Sequence, residues 1–382
     1  MATPVRIGLV GLGQRGLQHL RALWQIEEAE VAALCDPFEE NLDEGKIKGF
    51  VDDFSMSDIR TGTSFEALME TDGLDAVYFS IPPNVHNGEL VAAARAGLHI
   101  FAEKPVSLYL DEAAEMDAAI REAGVFATVG FNQRHDRWHE AIHHFLADKR
   151  LVMATSVSFG ALEGHSVKHT RTEELGGPKN RVWAANAAWS GTTVVEAGIH
   201  RLDLMRYYAG DVAWVRADYV HRDADDIVDG GDNPYAYSVT FGFECGLILN
   251  LLLGRLRRTF YGDGYDDIAW DRGHLKVEGD GPVAYYYEGP YPPDPRPTTD
   301  DLRHPLDVEA RGDSTFNINR DFVDALVHGD PAHLRNTFSS SMNSHAAVIG
   351  ANISDQLGGR KIALDELMSS DEFAPYRRKP AG

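Results

Sequence analysis

The sequence predicts an α/β domain with a doubly wound parallel sheet over residues 1–132. An α+β domain over 133–382 follows, built on a large, mostly antiparallel, open-faced sheet. Three observations carry this reading. Over the first 130 residues, short apolar runs alternate with amphipathic stretches of helical period. A glycine-rich turn follows the first of those runs. Beyond about Ala154, strand-like alternation continues through consecutive pieces with few helices between them.

Length and charge bound the possibilities. At about 150 residues per domain, 382 residues suggest two or three units. With 36 Lys+Arg against 59 Asp+Glu the formal net charge is −23, which repels phosphate backbones and argues against nucleic-acid binding. The same acidity excludes a polybasic membrane-surface protein. Nine of the basic residues are Lys and 27 are Arg, a bias that suits a salt-adapted cytoplasm or a GC-rich genome equally. Cys35 and Cys245 form neither a disulfide framework nor a CxxC pair. Apolar runs such as Leu247–Leu253 fall short of the ~20 residues that span a bilayer. The start of the chain has no basic stretch leading into a hydrophobic one, so a cytoplasmic protein without a signal peptide is expected.

In the first domain the predicted strands are Val5–Val10, Val31–Cys35, Ala76–Ser80, His99–Ala102 and Val125–Gly130. Helices are predicted over Gly88–Gly97 and Asp111–Ala123, and strands alternating with helices imply parallel pairing through right-handed crossovers. In the second domain strands are predicted over Ala154–Phe159, Trp214–His221, Tyr235–Phe243, Gly246–Leu252, His274–Glu278 and Val283–Tyr287, with a hairpin at Cys245-Gly246. Helices are expected near Val194–Tyr208, Asn317–Val327 and Ser340–Leu357, the last two returning to pack on the sheets. Tyr285–Asp313, rich in Pro, Asp and Tyr, reads as a long irregular excursion.

Gly11-Leu12-Gly13-Gln14-Arg15-Gly16 sets GxGxxG directly after the first strand and before a helix. The first glycine permits the tight turn and the second lets backbone approach a pyrophosphate. The third lets helix and strand pack closely. Asp36 stands twenty residues after Gly16, where a carboxylate can bond a ribose 2′-hydroxyl and repel a 2′-phosphate. No arginine follows in Pro37-Phe38-Glu39-Glu40, so NAD is expected over NADP, although Arg15 could reach an adenosine phosphate.

His99–Ala102 ends in Glu103-Lys104-Pro105, a Glu-Lys pair at the strand edge where ligands bind in open α/β sheets or, read alone, a capped strand end with a surface ion pair. Ser80-Ile81-Pro82-Pro83-Asn84-Val85-His86 precedes it, and Val129-Gly130-Phe131-Asn132-Gln133-Arg134 follows. Together with the segment from Ser190 to Asp203, these motifs resemble the glucose–fructose oxidoreductase, inositol dehydrogenase and rhizopine-catabolism (Gfo/Idh/MocA) family over nearly the whole chain. The resemblance implies that Lys104 meets a substrate hydroxyl beside the nicotinamide, with His200 as proton acceptor or relay. It further implies that Ser80, Pro82, Pro83, His86 and Glu103 lie around the cofactor. Two departures stand out: Glu196 occupies a position that is often Asp, and Ser190-Gly191-Thr192-Thr193 replaces the usual glycine run.

The residues read on their own agree in part. On a helix, Glu196, His200, Asp203 and Tyr207 share one face and Val195, Ile199 and Leu202 the other. The competing reading makes Thr193–Glu196 a capping box and His200 a surface residue. Asn132, Arg134 and His135 are candidate substrate contacts at the cleft edge. Trp183 and Trp189 suit either stacking on a sugar ring or the core. His165, Lys168, His169 and Arg171 form a basic stretch that suits an anionic group or a solvated loop. His139-Glu140-Ala141-Ile142-His143 has the HExxH form, but on a helix leaving a dinucleotide domain it reads as a coincidental face. No metal is expected.

Three functions follow. The first is an NAD-dependent dehydrogenase acting on a secondary hydroxyl of a sugar, cyclitol or sugar derivative. Lys104 serves there as base, or as donor to the forming alkoxide while His200 takes the proton. The second is an NAD-dependent glycosidase that oxidises, eliminates, hydrates and re-reduces. A nucleotide-binding sensor without turnover is the third. The resemblance also implies a homodimer or homotetramer paired through the second sheet.

Overall fold

The computed structural model describes residues 3–161, 183–227, 230–256 and 262–379. Six strands form the first sheet: β1 (Val5–Val10), β2 (Ala29–Cys35), β3 (Arg60–Gly62), β4 (Ala76–Phe79), β5 (His99–Ala102) and β6 (Ala127–Val129). All pair in parallel, in the order β3-β2-β1-β4-β5-β6. The order reverses between β1 and β4, which opens a crevice at the carboxyl edge there. The central strands are apolar on both faces because helices cover both. The residues of β4 are all buried, and its neighbour β5 exposes only the start. Helix Leu110–Ala123 buries Leu110, Ala113, Met116 and Ile120 at helical spacing. The short β3, with Arg60 and Thr61 exposed, carries no apolar signal and was not anticipated.

Nine strands form the second sheet: β7 (Leu151–Ala161), β8 (Val212–Val220), β9 (Ala236–Phe243), β10 (Ile248–Leu256), β11 (Asp263–Trp270), β12 (Gly273–Glu278), β13 (Gly281–Tyr286), β14 (Arg303–Pro305) and β15 (Ile362–Ala363). Their order is β14-β13-β12-β11-β7-β10-β9-β8-β15, and only β7 and β10 pair in parallel. The predicted hairpin joins β9 to β10, with Gly246 N–H donating to Phe243 O at 3.0 Å. Sequence reading missed β11 because Asp263, Asp266 and Asp267 suggest a solvated loop. Asp266 is buried instead, accepting from Ser156 Oγ at 2.5 Å and pairing with Arg201 Nη1 at 2.6 Å. The excursion after β13 is less irregular than expected. It holds a one-turn helix, Thr299–Leu302, with a Thr298/Asp301 capping box, and then β14.

Helix Phe338–Gln356 covers one face of the second sheet and is tied to it by backbone donors of β8. Ala217 N–H donates to Ser354 Oγ at 2.9 Å and Tyr219 N–H to Asp355 Oδ1 at 2.8 Å. On the opposite face Met153 and Tyr265 are 51% and 53% exposed. Among the described residues no helix is long and apolar enough to cross a membrane.

Helix Ser314–His328 lies on the first sheet. The rings of Tyr78 (β4) and Phe101 (β5) stack at 4.4 Å, and Phe322 meets both edge-on at 5.6 Å. Ile318, Phe322 and Val323 belong to the same apolar cluster as Leu9, Leu20 and Leu34. The first sheet's core is therefore completed from residues some 200 positions downstream of β6. Phe322→Ala should cost about 3–5 kcal/mol in urea unfolding, as for other buried phenylalanines. A loss below about 1 kcal/mol would show that the returning helix is not part of this core.

Candidate active site

Ladder bonds carried past the strand ends build the site's floor. Gly11 N–H donates to Cys35 O, Ser80 to Val10 O, Glu103 to Phe79 O and Gly130 to Ala102 O, each at 2.8 Å. The first residue after each strand is thereby held in a row along the carboxyl edge. Gly11 has φ +90°, and a Cβ on Gly16 would lie 1.9 Å from Gly11 O. The glycine turn thus closes only with these residues, and Gln14–Leu23 begins directly over the crevice with no acidic residue in its first turn.

Two opposite charges stand at the end of β5. Glu103 is buried; its Oε1 accepts from Arg15 Nε at 2.7 Å and contacts His19 Nε2 at 2.9 Å. Its Oε2 accepts from Lys104 N–H at 3.1 Å. Burial pushes the Glu103 carboxyl up, but the Arg15 charge and the His19 hydrogen bond outweigh it and hold it well below the usual carboxylate range. Lys104 points the other way. Its Nζ donates to Glu196 O at 2.7 Å and to Glu196 Oε1 at 3.1 Å.

Glu196 sits in a π-helical turn, Val194–Gly198, that runs into helix Ile199–Ala209. Such turns loosen the regular ladder and recur at functional sites. The capping-box reading of Thr193–Glu196 fails, because Thr193 is already helical and makes no side-chain cap. Burial works to raise the Glu196 carboxyl, and the facing Lys104 overrides it and holds it low. One turn on, His200 has its pKa pushed down to about 3 by burial and by the Lys104 charge. It is therefore neutral near pH 7, and its buried Nδ1 has no hydrogen-bond partner.

These groups share one cavity of about 400 Å³, lined by Gly13, Gln14, Arg15, Ser80, Ile81, Pro82, Glu103, Lys104, Asn132, Trp183, Ala184, Glu196 and His200. Ten of the predicted residues thus converge with Lys104. Gly11, Leu12 and Pro83 lie buried beneath the lining. Asp36 is buried at the end of β2, where its carboxylate accepts from Leu12 N–H at 2.8 Å, Phe38 N–H at 3.0 Å and Asn41 Nδ2 at 2.9 Å. His86 is buried against Glu89 and does not reach the cavity.

Arg134, predicted as a substrate contact, does not line the cavity either. Its guanidinium is buried in a two-pronged pair with Asp203, Nε–Oδ2 at 2.7 Å and Nη2–Oδ1 at 2.8 Å. Asp203 likewise leaves the Glu196/His200 face for this pair. Trp183 reaches the cavity whereas Trp189 is buried. His139 contacts the Tyr208 hydroxyl at 2.7 Å and His143 stacks on Tyr207 at 4.2 Å. Among the described residues no group of metal-ligating side chains converges. The basic stretch His165, Lys168, His169 and Arg171 lies outside the described residues. Ile81 and Ala184 were missed; nothing in their residue types marks them. His19 was also missed, although its place one turn beyond Arg15 on the same helix was a usable signal.

Comparison with known proteins bears on the fold and on the N-terminal domain. Residues 5–131 match the GFO_IDH_MocA family model, described as an oxidoreductase family with an NAD-binding Rossmann fold. The chain is 29% identical over 267 residues to the uncharacterised oxidoreductase YrbE of Bacillus subtilis (strain 168), covering 70% of each. It is 29% identical over 263 residues to a myo-inositol 2-dehydrogenase of Thermotoga maritima, covering 69% of this chain and 71% of that one. Among solved structures, the WlbA dehydrogenase of Bordetella pertussis in complex with NADH and UDP-GlcNAcA superposes with a TM-score of 0.73. That match is 18% identical and covers 94% of this chain and 98% of the other. An oxidoreductase of Agrobacterium radiobacter in complex with NAD+, L-tartaric acid and magnesium gives 0.72 at 16% identity, covering 96% and 100%. At these identities the structures show a shared fold.

The depressed His200 pKa has a consequence for stability. An unfolded histidine titrates near ~6.5, so between about 3 and that value the unfolded chain binds the proton that the folded one refuses. The His200 contribution is full above that window and is lost as pH falls through it, at up to ~1.4 kcal/mol per pH unit. Urea midpoints at pH 7 and pH 5 should therefore fall less for His200→Asn than for the parent. Equal losses in the two proteins would contradict a buried, neutral His200.

Proposed function

We propose that this chain, whose N-terminal domain belongs to the Gfo/Idh/MocA oxidoreductase family, transfers hydride between NAD and a secondary hydroxyl of a sugar, cyclitol or sugar derivative. The observation that carries the reading is the grouping of Lys104, Glu196 and His200 in one cavity with Gly13 and Pro82. The residues suit a dinucleotide. The helix start at Gln14 offers unpaired backbone N–H groups to a pyrophosphate, and the buried Ser80 Oγ has no partner beside Pro82. When bound, the nicotinamide supplies the hydride acceptor.

The chain's own residues would then hold the alcohol and move its proton. An ammonium has three donors, and Glu196 takes two from Lys104, leaving the third for the substrate oxygen. His200 is neutral and lines the same cavity, so a ring nitrogen can accept a hydrogen bond from the substrate hydroxyl. Division of labour follows: Lys104 orients the oxygen and stabilises developing negative charge, and His200 serves as the hydrogen-bond acceptor or relay through which the proton leaves. Trp183 and Asn132 are placed to bound the substrate ring.

Asp36 supports NAD over NADP. The three donors to its carboxylate are uncharged and come from two sides, so its charge stays beside the adenosine ribose position and repels a 2′-phosphate. The open face of the second sheet, carrying Met153 and Tyr265, supports pairing with another copy as a dimer or tetramer.

The test is reduced-nicotinamide absorbance with NAD and a panel of sugars and cyclitols that includes myo-inositol, with product analysis alongside. Growth of NADH with one free sugar or cyclitol is expected. Lys104→Met should lower turnover by about 10²–10⁴-fold, the usual reach of a positioned acid–base group, with NADH affinity retained. Near-parental turnover in that variant would overturn the assignment. Aglycone release from a glycoside without NADH growth would replace net oxidation by the redox-neutral alternative.

A further inference from the structure

Thr192 has φ +98°, a conformation in which a β-branched residue is an outlier. Among the described residues only Asp53 and Asp58 share a positive φ without being glycine. Both are aspartates, which tolerate that region better. Thr192 follows Gly191, at φ +74°, and stands two residues before the turn that carries Glu196. Its carbonyl accepts from Glu196 N–H at 3.0 Å. The pair, strained at Thr192, is therefore the corner from which the chain enters the Lys104-binding turn. Strain of this kind persists only where the surroundings over-determine it.

Ser190 Oγ accepts from Thr192 N–H at 3.3 Å, and a side chain from a distant helix holds both residues of the corner. Asn352 stands near the end of Phe338–Gln356, 160 residues away. Its Oδ1 accepts from Thr192 Oγ1 at 2.9 Å and its Nδ2 donates to Gly191 O. The Tyr219 hydroxyl donates to the same Oδ1 at 2.9 Å, and the Gly191 carbonyl, which can only accept, fixes which end of the amide faces Thr192. Asn352 lines neither the active-site cavity nor any surface of Lys104.

We propose that Asn352 is a positioning residue whose amide clamps the strained Gly191–Thr192 corner and so holds Glu196 on Lys104. Both bonds of the amide go to the two residues whose backbone is left-handed, and the corner's own carbonyl starts the turn. Release of the clamp lets Thr192 relax toward negative φ, which shifts Glu196 and frees the Lys104 amine. Glycine at 192 adopts this φ without a steric cost, so it makes the clamp dispensable. A residue that only stabilised its own helix would show no such dependence on position 192. The importance of the clamp for turnover rests on the function proposed above; its geometry does not.

The test is pulse acetylation of the full chain with acetic anhydride, quantified at Lys104 relative to Lys48 and Lys149 by mass spectrometry. Asn352→Ala should raise Lys104 labelling about tenfold, the scale of one or two lost hydrogen bonds. In the Thr192→Gly background the same substitution should change it by less than about twofold. Thr192→Ala keeps the unfavourable φ but loses the hydroxyl, so it should also raise labelling and gives the reading if Asn352→Ala does not fold. Unchanged Lys104 labelling in the folded variant overturns the proposal, and so does a rise that persists undiminished with glycine at 192. Labelling needs neither substrate nor turnover, so a failure here leaves the hydride-transfer reading standing, and a failure there leaves the clamp.

Discussion

A carboxylate buried at the end of a strand must find positive partners, and in this protein the partners of Glu103 organise the crevice. Moving a carboxylate out of water costs several kcal/mol unless charge and hydrogen bonds replace the lost hydration. Arg15, His19 and the Lys104 N–H together do so. Two of them come from the first turns of the helix behind the glycine loop, so the charge on β5 fixes the helix on β1. His19 passes the restraint on to Asn319, whose Nδ2 lies 2.9 Å from its Nδ1, and hence to the returning helix Ser314–His328. Arg15 is thereby committed to Glu103, Gln18 and Thr315, which draws it to the β5 end of the crevice.

The next residue along, Lys104, faces the other way and meets the second half of the chain at Glu196. That half is held just as firmly. Helix Ile199–Ala209 is fixed on one side by Arg201 to Asp266 of β11, and on the other by Asp203 to Arg134. Ser344 joins the second pair, donating to Asp203 Oδ1 at 2.9 Å and accepting from Arg206 Nη1 at 2.8 Å. His200 lies one residue before Arg201 on this helix, so these anchors hold the backbone that carries it. Breaking one partner of such a buried pair typically costs about 3–5 kcal/mol, whatever the pair itself contributes. The buried charges thus serve alignment more than stability.

Much of this was legible in the sequence where a local pattern is enough. The parallel strands are short apolar runs because both faces are covered, and the glycine turn, Asp36 and Glu103-Lys104-Pro105 stand at their ends. The active-site helix shows its Glu196/His200 spacing directly. What failed were inferences that depend on a distant partner. Arg134 looks like a cleft residue until Asp203 is found beside it, and Asp266 makes β11 look solvated until Arg201 is seen to neutralise it. The Thr192 corner gives no sign of its φ in residue type, because threonine disfavours that geometry and its hydroxyl's partner, Asn352, is distant in sequence. Strand ends and helix faces are local properties; side-chain partners 65 to 160 residues apart are not.

The most direct measurement is a crystal structure of the protein with NAD bound. The account predicts the pyrophosphate on the Gly13–Gln14 turn and the nicotinamide against Pro82. Lys104 and His200 should face the same side of the ring. An alcohol oxygen bonded to Lys104 Nζ would then bring its carbinol carbon to about 3–3.5 Å from the hydride-accepting carbon. A dinucleotide bound away from the glycine turn, or a nicotinamide that Glu103 separates from Lys104, would contradict it.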